Sequence, residues 1–296
     1  MKRTAYTYKH ALPILNNFIA ILFFVASLFA QAAFATSPPK RIVVLNAANT
    51  EIVFELGQGD RIVGTDAGAN YPEAAKSIAK VGHPYRPSVE GIISLKPDLV
   101  IASEENLPPE SAAQLRSAKM NLIVLPNSGK DGIEGLKNRI NKIADLLSSQ
   151  KDAKSLTARI DRDLAKLTAK VKAQKNHPKV FFLYAHGPSK TFIYGKETGS
   201  HSLIEAIGGI NAADFMSGTK PLTSEAMVQA APEAIIMLER GLAAVGGKEE
   251  ALKLPGVSLT PAGKNKKVIA VDDSIRWIGP RFVIFAEKLF DEVYKN

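Results

Sequence analysis

One short pattern is written twice in this chain and limits what it can fold into. From Ser88 the sequence reads SVEGIISLKPDLVIAS, and from Thr223 it reads TSEAMVQAAPEAIIML. Each copy runs from a hydroxyl residue through a glutamate and an apolar stretch to a proline, then into an unbroken apolar run. Ser88 and Thr223 suit the N-cap position, where a side-chain oxygen accepts from a free backbone N–H. Glu90 and Glu225 fall in the first helical turn, where a carboxylate complements the helix dipole. Pro97 and Pro232 end the helix. The runs at 99–101 and 234–237 are then buried strands. A repeated helix–strand unit predicts two similar α/β lobes with a cleft between them.

Residues 1–35 read as an export leader and not as part of the fold. Lys2, Arg3 and Lys9 form a basic start with no acid, and an apolar stretch follows at 18–30. That stretch is shorter than the ~20 residues a membrane-spanning helix needs. Ala33-Phe34-Ala35 fits a small-x-small cleavage site. The mature chain is therefore expected to begin at Thr36, as a periplasmic protein with no stable membrane insertion. The chain has no cysteine, which excludes a lipid-anchored thiol, disulfides, thiolate metal sites and cysteine nucleophiles. The formal charge is +9, of which the leader contributes three. The basic residues of 137–175 are interleaved with Asp145, Asp152, Asp161 and Asp163, as on a solvated helix face. With the export leader and no recognition motif, a nucleic-acid partner is not expected.

Residues 36–130 read as strand 41–45, helix 49–56, strand 61–64, a loop rich in Gly, Ala and Pro to about 87, the first repeat copy, helix 109–119 and strand 121–125. Strands alternating with short helices build a parallel sheet covered on both faces. Ile133, Leu136, Ile140, Ile143 and Leu147 then step by three or four residues, as do Leu156, Ile160, Leu164, Leu167 and Val171. That is the helical period. Residues 131–175 are expected to be an inter-lobe helix, with Ser148-Ser149-Gln150 its weakest point. Residues 176–296 repeat the first layout with strand 180–184, helix 201–207, the second repeat copy, strand 268–271 and a final helix 280–294 opened by Pro280. The expected architecture is α/β: two similar parallel-sheet lobes joined by a single long helix. Ligand would bind between them, near the carboxyl ends of the strands.

Loops expected at that cleft carry Tyr71, the stretch His83-Pro84-Tyr85-Arg86-Pro87, and from the second lobe His186, Arg240, Arg276 and Trp277. Imidazole, phenol, guanidinium and indole groups suit a large, flat, anionic ligand that carries a metal. His186 and His201 read more simply as surface or hydrogen-bonded histidines, and Tyr71 before Pro72 also suits a packed turn. Residues 83–87 are the sharper feature, because two prolines stiffen a segment with His, Tyr and Arg just ahead of a capped helix. A bare zinc or manganese site wants three or four His or carboxylate ligands, and the histidines here are scattered. Nucleophile-elbow, phosphate-loop and H-E-x-x-H motifs are missing from the sequence, so an enzyme is not expected.

The stretches RIVVLNAANTEIVFELGQGDRIVGTD, SVEGIISLKPDLVIAS, KPLTSEAMVQAAPEAIIM and GLAAVGGKEEALKLPGVSLTPAGKNKKVIAVDD, with GPR after it, resemble the periplasmic haem-binding proteins of bacterial haem ABC importers. The resemblance spans the mature chain. Its first two segments are shared with siderophore- and cobalamin-binding relatives of the class III substrate-binding superfamily, whereas 254–273 points to haem. It implies a non-catalytic, monomeric receptor that carries haem, and so iron, to an ABC permease dimer. The related alternative is a ferric siderophore or a corrinoid.

In that family a tyrosinate in a VGYxR motif ligates the iron. The matching stretch here is Val81-Gly82-His83-Pro84-Tyr85-Arg86. His83 holds the tyrosine position, Tyr85 the arginine position, and Arg86 follows. Imidazole nitrogen and phenolate oxygen both ligate haem iron, so either His83 or Tyr85 can serve, with Tyr71 behind them. The haem carboxylates call for Arg86, Arg240 or Arg276. The resemblance also places Glu90 and Glu225 where one acid per lobe docks onto permease arginines.

Overall fold

The two copies of the repeat occupy equivalent places in two separate sheets. The computed structural model of the chain describes residues 38–187 and 190–295, so the expected leader and its cleavage after Ala35 lie outside the described residues. In the first lobe β1 (Ile42–Val44) leads into α1 (Ala47–Glu55) and β2 (Ile62–Thr65). A small antiparallel hairpin follows, β3 (Gly82–His83) with β4 (Arg86–Pro87), in which His83 pairs with Arg86. Ser88 Oγ accepts from Gly91 N at 3.0 Å and opens α2 (Val89–Ser94). After β5 (Leu99–Ser103), α3 (Pro109–Ser117) and β6 (Leu122–Leu125), the sheet is complete in the order β2-β1-β5-β6, all parallel.

Both faces of that sheet are covered. Ile42, Val44, Leu99 and Ile101 enter one apolar cluster, and Val43, Leu45, Val100 and Ala102 enter another with Ile92 of α2 and Leu115 of α3. Alternate residues of a strand point to opposite faces, so a strand buried on both faces is apolar throughout.

The helical pattern at 131–175 resolves into two helices, α4 (Gly132–Leu147) and α5 (Gln150–Lys172). Ser148 between them takes a left-handed conformation with φ 57°, the usual way to end a helix. The two helices fold back on each other, and Lys137 Nζ meets Asp161 Oδ1 across the pair at 3.0 Å. The long link between lobes is α5 alone. Its Arg159 meets Glu55 of α1 at 2.9 Å, and its Lys170 meets Glu287 of the final helix at 3.1 Å.

The second lobe contains β7 (Lys179–Ala185), β8 (Thr191–Tyr194), α6 (Gly199–Ala206), β9 (Ile210–Asn211) and β10 (Thr219–Pro221). Thr223 Oγ1 then accepts from Ala226 N at 3.1 Å and opens α7 (Ser224–Ala230), followed by β11 (Ala234–Leu238). The chain ends through α8 (Glu239–Val245), α9 (Lys248–Ala251), α10 (Pro261–Lys264), β12 (Val268–Val271) and α11 (Phe282–Val293). Strand β11 pairs parallel with β7 as β5 does with β1, so the repeats hold matching positions.

The lobes are not copies, however. The second sheet, ordered β10-β8-β7-β11-β12, is mixed, because β8 runs antiparallel to both β7 and β10. A short connection after Ala185, with Gly187 at φ 101°, leaves room only for a hairpin, whereas a parallel neighbour needs a long crossover. No helix among the described residues is long and apolar enough to cross a membrane.

Candidate functional site

A cleft of ≈ 810 Å³ lies between the carboxyl ends of the two sheets' strands. Its first wall is built on a buried polar floor. Asp66, at the end of β2, has no exposure and accepts from Asn46 N at 2.5 Å and Gly68 N at 2.7 Å. Burial raises its carboxyl above the ordinary aspartate value, and those two backbone donors work in the opposite direction. Asn46 Nδ2 donates to Asn106 Oδ1 at 2.5 Å, and Asn106 Nδ2 donates to Pro84 O at 2.7 Å. This chain of bonds fixes the tip of the β3–β4 hairpin over the floor.

The tip presents His83 and Tyr85, whose ring centroids are 5.8 Å apart. His83 Nδ1 accepts from Tyr85 N at 3.3 Å. Desolvation raises the Tyr85 phenol, and the Arg276 guanidinium opposes it. Beside them Tyr71, 43% exposed, lies beneath the Arg281 guanidinium at 3.7 Å from its ring centroid.

The second wall rises from the ends of β7 and β8. Tyr184 and His186 meet edge to face with centroids 4.5 Å apart, and Tyr194 stands 6.3 Å from Tyr184. Burial pushes the Tyr194 phenol up to about 12. Arg276 lies 4.4 Å over the Trp277 ring and 5.5 Å from the Tyr184 ring, and donates from Nε to Asp273 O at 3.4 Å and from Nη1 to the Tyr184 hydroxyl at 3.5 Å. Arg240 is exposed on the rim, 3.6 Å from Asp273. Acids also line the cleft, among them Glu105, Glu239, Asp272 and Asp273. The cleft is therefore of mixed charge, with guanidinium groups set among carboxylates.

Trp277 closes the floor between the lobes, packed into a pocket of Ala47, Ala48 and Ala69. Gly68 makes this possible, because a Cβ there would lie 2.9 Å from Pro84 and 3.1 Å from the indole. Close by, Arg281 binds Glu51 through two parallel bonds, Nη2 to Oε1 at 2.6 Å and Nε to Oε2 at 3.1 Å, and donates to Ser274 Oγ at 3.0 Å. Burial raises the Glu51 carboxyl while the guanidinium opposes that shift.

Of the residues singled out from the sequence, Tyr71, His83, Tyr85, Arg240, Arg276 and Trp277 line the cleft, and so does His186. Arg86 does not. It is exposed and lies outside the lining, although it is the strand partner of His83. His201 lies outside as well, held by Asn211 at 3.2 Å and Glu205 at 3.4 Å. Sequence reasoning missed Tyr184, Tyr194, Glu105 and the Glu51–Arg281 pair, although the GPR stretch carries Arg281. Among the described residues no three His, Asp or Glu side chains converge on a position for a bare metal ion.

The family description that matches the chain is periplasmic binding protein, over residues 42–275. The solved apo structure of the periplasmic haem-binding protein RhuT from Roseiflexus sp. RS-1 is 36% identical, with a TM-score of 0.82 over 88% of this chain and 98% of that one. An uncharacterised ABC transporter substrate-binding lipoprotein, YvrC of Bacillus subtilis, is 31% identical over 87% of this chain and 81% of its own length. The vitamin B12-binding protein of Photorhabdus laumondii is 23% identical over 94% of this chain and 95% of its own length. The two-lobed α/β architecture, the inter-lobe cleft and these matches agree: the chain is a member of the periplasmic binding protein family, a substrate-binding protein of ABC transport and not an enzyme.

Proposed function

We propose that the protein captures haem in the inter-lobe cleft and delivers it to an ABC permease dimer in the inner membrane. The observation that carries this reading is the pairing of an imidazole and a phenol on one braced hairpin tip, facing a wall of aromatic rings and two guanidinium groups. A porphyrin offers each of them a partner: iron for His83 or Tyr85, a flat π-face for Tyr71, Tyr184 and Trp277, and two carboxylates for Arg240 and Arg276. Guanidinium is the side chain best suited to fork-like contact with a carboxylate. The cleft volume lies within the ~300–1,000 Å³ of small-molecule sites, and the similarity to RhuT supports the same ligand.

A corrinoid is the second reading, supported by the similarity to a vitamin B12-binding protein. The hairpin favours haem over it, because an axial donor matters most for a metal whose axial face is open. Export through a leader cleaved after Ala35, a periplasmic location and action as a monomer complete the proposal. Glu90 and Glu225, both exposed in the first turn of a capped helix, serve as the paired permease contacts.

Titration of the purified apo-protein with hemin tests the ligand. The expected outcome is a saturable Soret change near one equivalent that excess cyanocobalamin does not displace. No saturable change with hemin, alongside binding of cyanocobalamin or a ferric siderophore, overturns haem as the cargo.

A further inference from the structure

None of residues 254–264 lines the cleft, although LPGVSLTPAG is among the most distinctive stretches of the sequence. The segment forms a folded knuckle against α7. Leu254 and Val257 are buried in the same cluster as Met227 of that helix. Thr260 Oγ1 donates to Val257 O at 2.7 Å and accepts from Gly263 N at 3.0 Å. A Cβ on Gly256, where φ is +77°, would stand 2.7 Å from Ser224 O, so the knuckle presses directly on the turn that carries Glu225.

From this locked scaffold Leu259 projects outward, 66% exposed. Val228, one turn along α7 from Glu225, is 45% exposed, and Pro255 and Pro261 are exposed too. A single exposed leucine is ordinary and needs no explanation. Here several apolar groups gather on one rigid knuckle beside an exposed carboxylate. A pre-ordered apolar group loses little conformational freedom when a partner buries it, which is the property of an interface anchor. In the first lobe the exposed large apolar side chains among the described residues are Tyr71 and Tyr85, and both line the cleft.

We propose that residues 255–261 and Val228 form the apolar half of the second lobe's permease-docking surface, with Glu225 as its charged half. The occupant is the periplasmic face of the ABC permease, offering an apolar depression next to a guanidinium or ammonium group. Charge complementarity to Glu225 and continuity with it select this partner. The proposal rests on the reading of Glu225 as a docking residue and extends that surface to one permease subunit only.

Binding to the cognate permease–ATPase complex in nanodiscs, with and without hemin, tests it. Leu259→Asp and the double variant Val228→Ser, Leu259→Ser are expected to bind about tenfold more weakly, with thermal midpoint and hemin affinity unchanged. The serine variant adds no charge and keeps the test valid if the aspartate disturbs the fold. If Glu225→Ala weakens binding while both Leu259 variants bind like wild type, the docking reading stands and the apolar anchor is overturned. If no variant weakens binding, docking through this face fails and the anchor fails with it.

Discussion

His83 and Tyr85 share a hairpin tip but are not equivalent donors. Because His83 Nδ1 accepts the Tyr85 N–H, the neutral ring carries its own proton on Nε2. Ligation through Nε2 requires that proton to move to Nδ1 and the Tyr85 contact to open. Tyr85 must instead lose a phenol proton that desolvation holds above the usual tyrosine value. A bound cation favours either change. If His83 is the ligand, His83→Ala reshapes the hemin spectrum and speeds haem loss, while Tyr85→Phe keeps the coordination type. The reverse pattern assigns the iron to Tyr85, and two unchanged spectra move it to Tyr71. Burial makes a second prediction at this scale, because Asp66 and Glu105 are both raised by desolvation. Unfolded, such groups titrate at about 3.9 and 4.3. Between those values and the raised folded ones the native state holds more protons, so stability falls as pH rises through that window. The urea midpoint of the apo-protein is therefore expected to rise on acidification from neutral pH, and the Asp66→Asn, Glu105→Gln variant to show a shallower slope, the remainder coming from Glu51, which burial also raises. A wild-type midpoint that only falls on acidification contradicts this. The 83–87 segment stood out in the sequence because two prolines, His83, Tyr85 and Arg86 crowd into five positions, and of those three polar side chains His83 and Tyr85 line the cleft while Arg86 does not. Tyr184 and Tyr194 did not stand out, since an aromatic in an apolar strand looks the same whether it faces a core or a cleft.

At the scale of elements, the repeat was the reliable guide. Its hydroxyl caps, its glutamates and the strands that follow all stand where the spacing places them. Removal of a cap tests how much the repeat geometry contributes. Ser88→Ala and Thr223→Ala each delete one bond to a free helix N–H and are expected to cost ~1 kcal/mol by urea denaturation. A cost near zero for both would mean that packing of Ile92 and Met227, each with no exposure, already fixes the helices. The break between α4 and α5 was marked by Ser148-Ser149, but whether such a point bends a helix or reverses it depends on contacts far along the chain, such as Lys137 with Asp161. The antiparallel strands β8 and β10 escaped notice for a related reason. Neither carries the long apolar run of a central strand, and β10, Thr219–Pro221, is fully exposed at the sheet edge.

For the whole molecule, the decisive contacts join residues that no local pattern connects. Glu51 and Arg281 are 230 positions apart in sequence, yet their bidentate pair ties α1 of the first lobe to the start of α11 in the second. Arg139 of α4 donates to Ile278 O of the same strip and to Ser128 O at 2.9 Å. Trp277, the only tryptophan of the chain, fills the alanine pocket between them and is 5% exposed. Residues 274–281 therefore act with α5 to fix how far apart the lobes stand. A buried ion pair adds little net stability over an apolar substitute, but removing one partner strands the other and costs ~3–5 kcal/mol. Glu51→Gln preserves volume and one acceptor, so the loss is expected toward the lower end, ~3 kcal/mol. Because Arg281 also covers Tyr71 in the cleft wall, the effect should reach the ligand. In Glu51→Gln the Trp277 emission of the apo-protein is expected to shift to longer wavelength, and hemin dissociation to quicken several-fold. Reduced stability with wild-type emission and wild-type dissociation would show the pair to be a tie within the fold, and would leave lobe spacing to α5 alone.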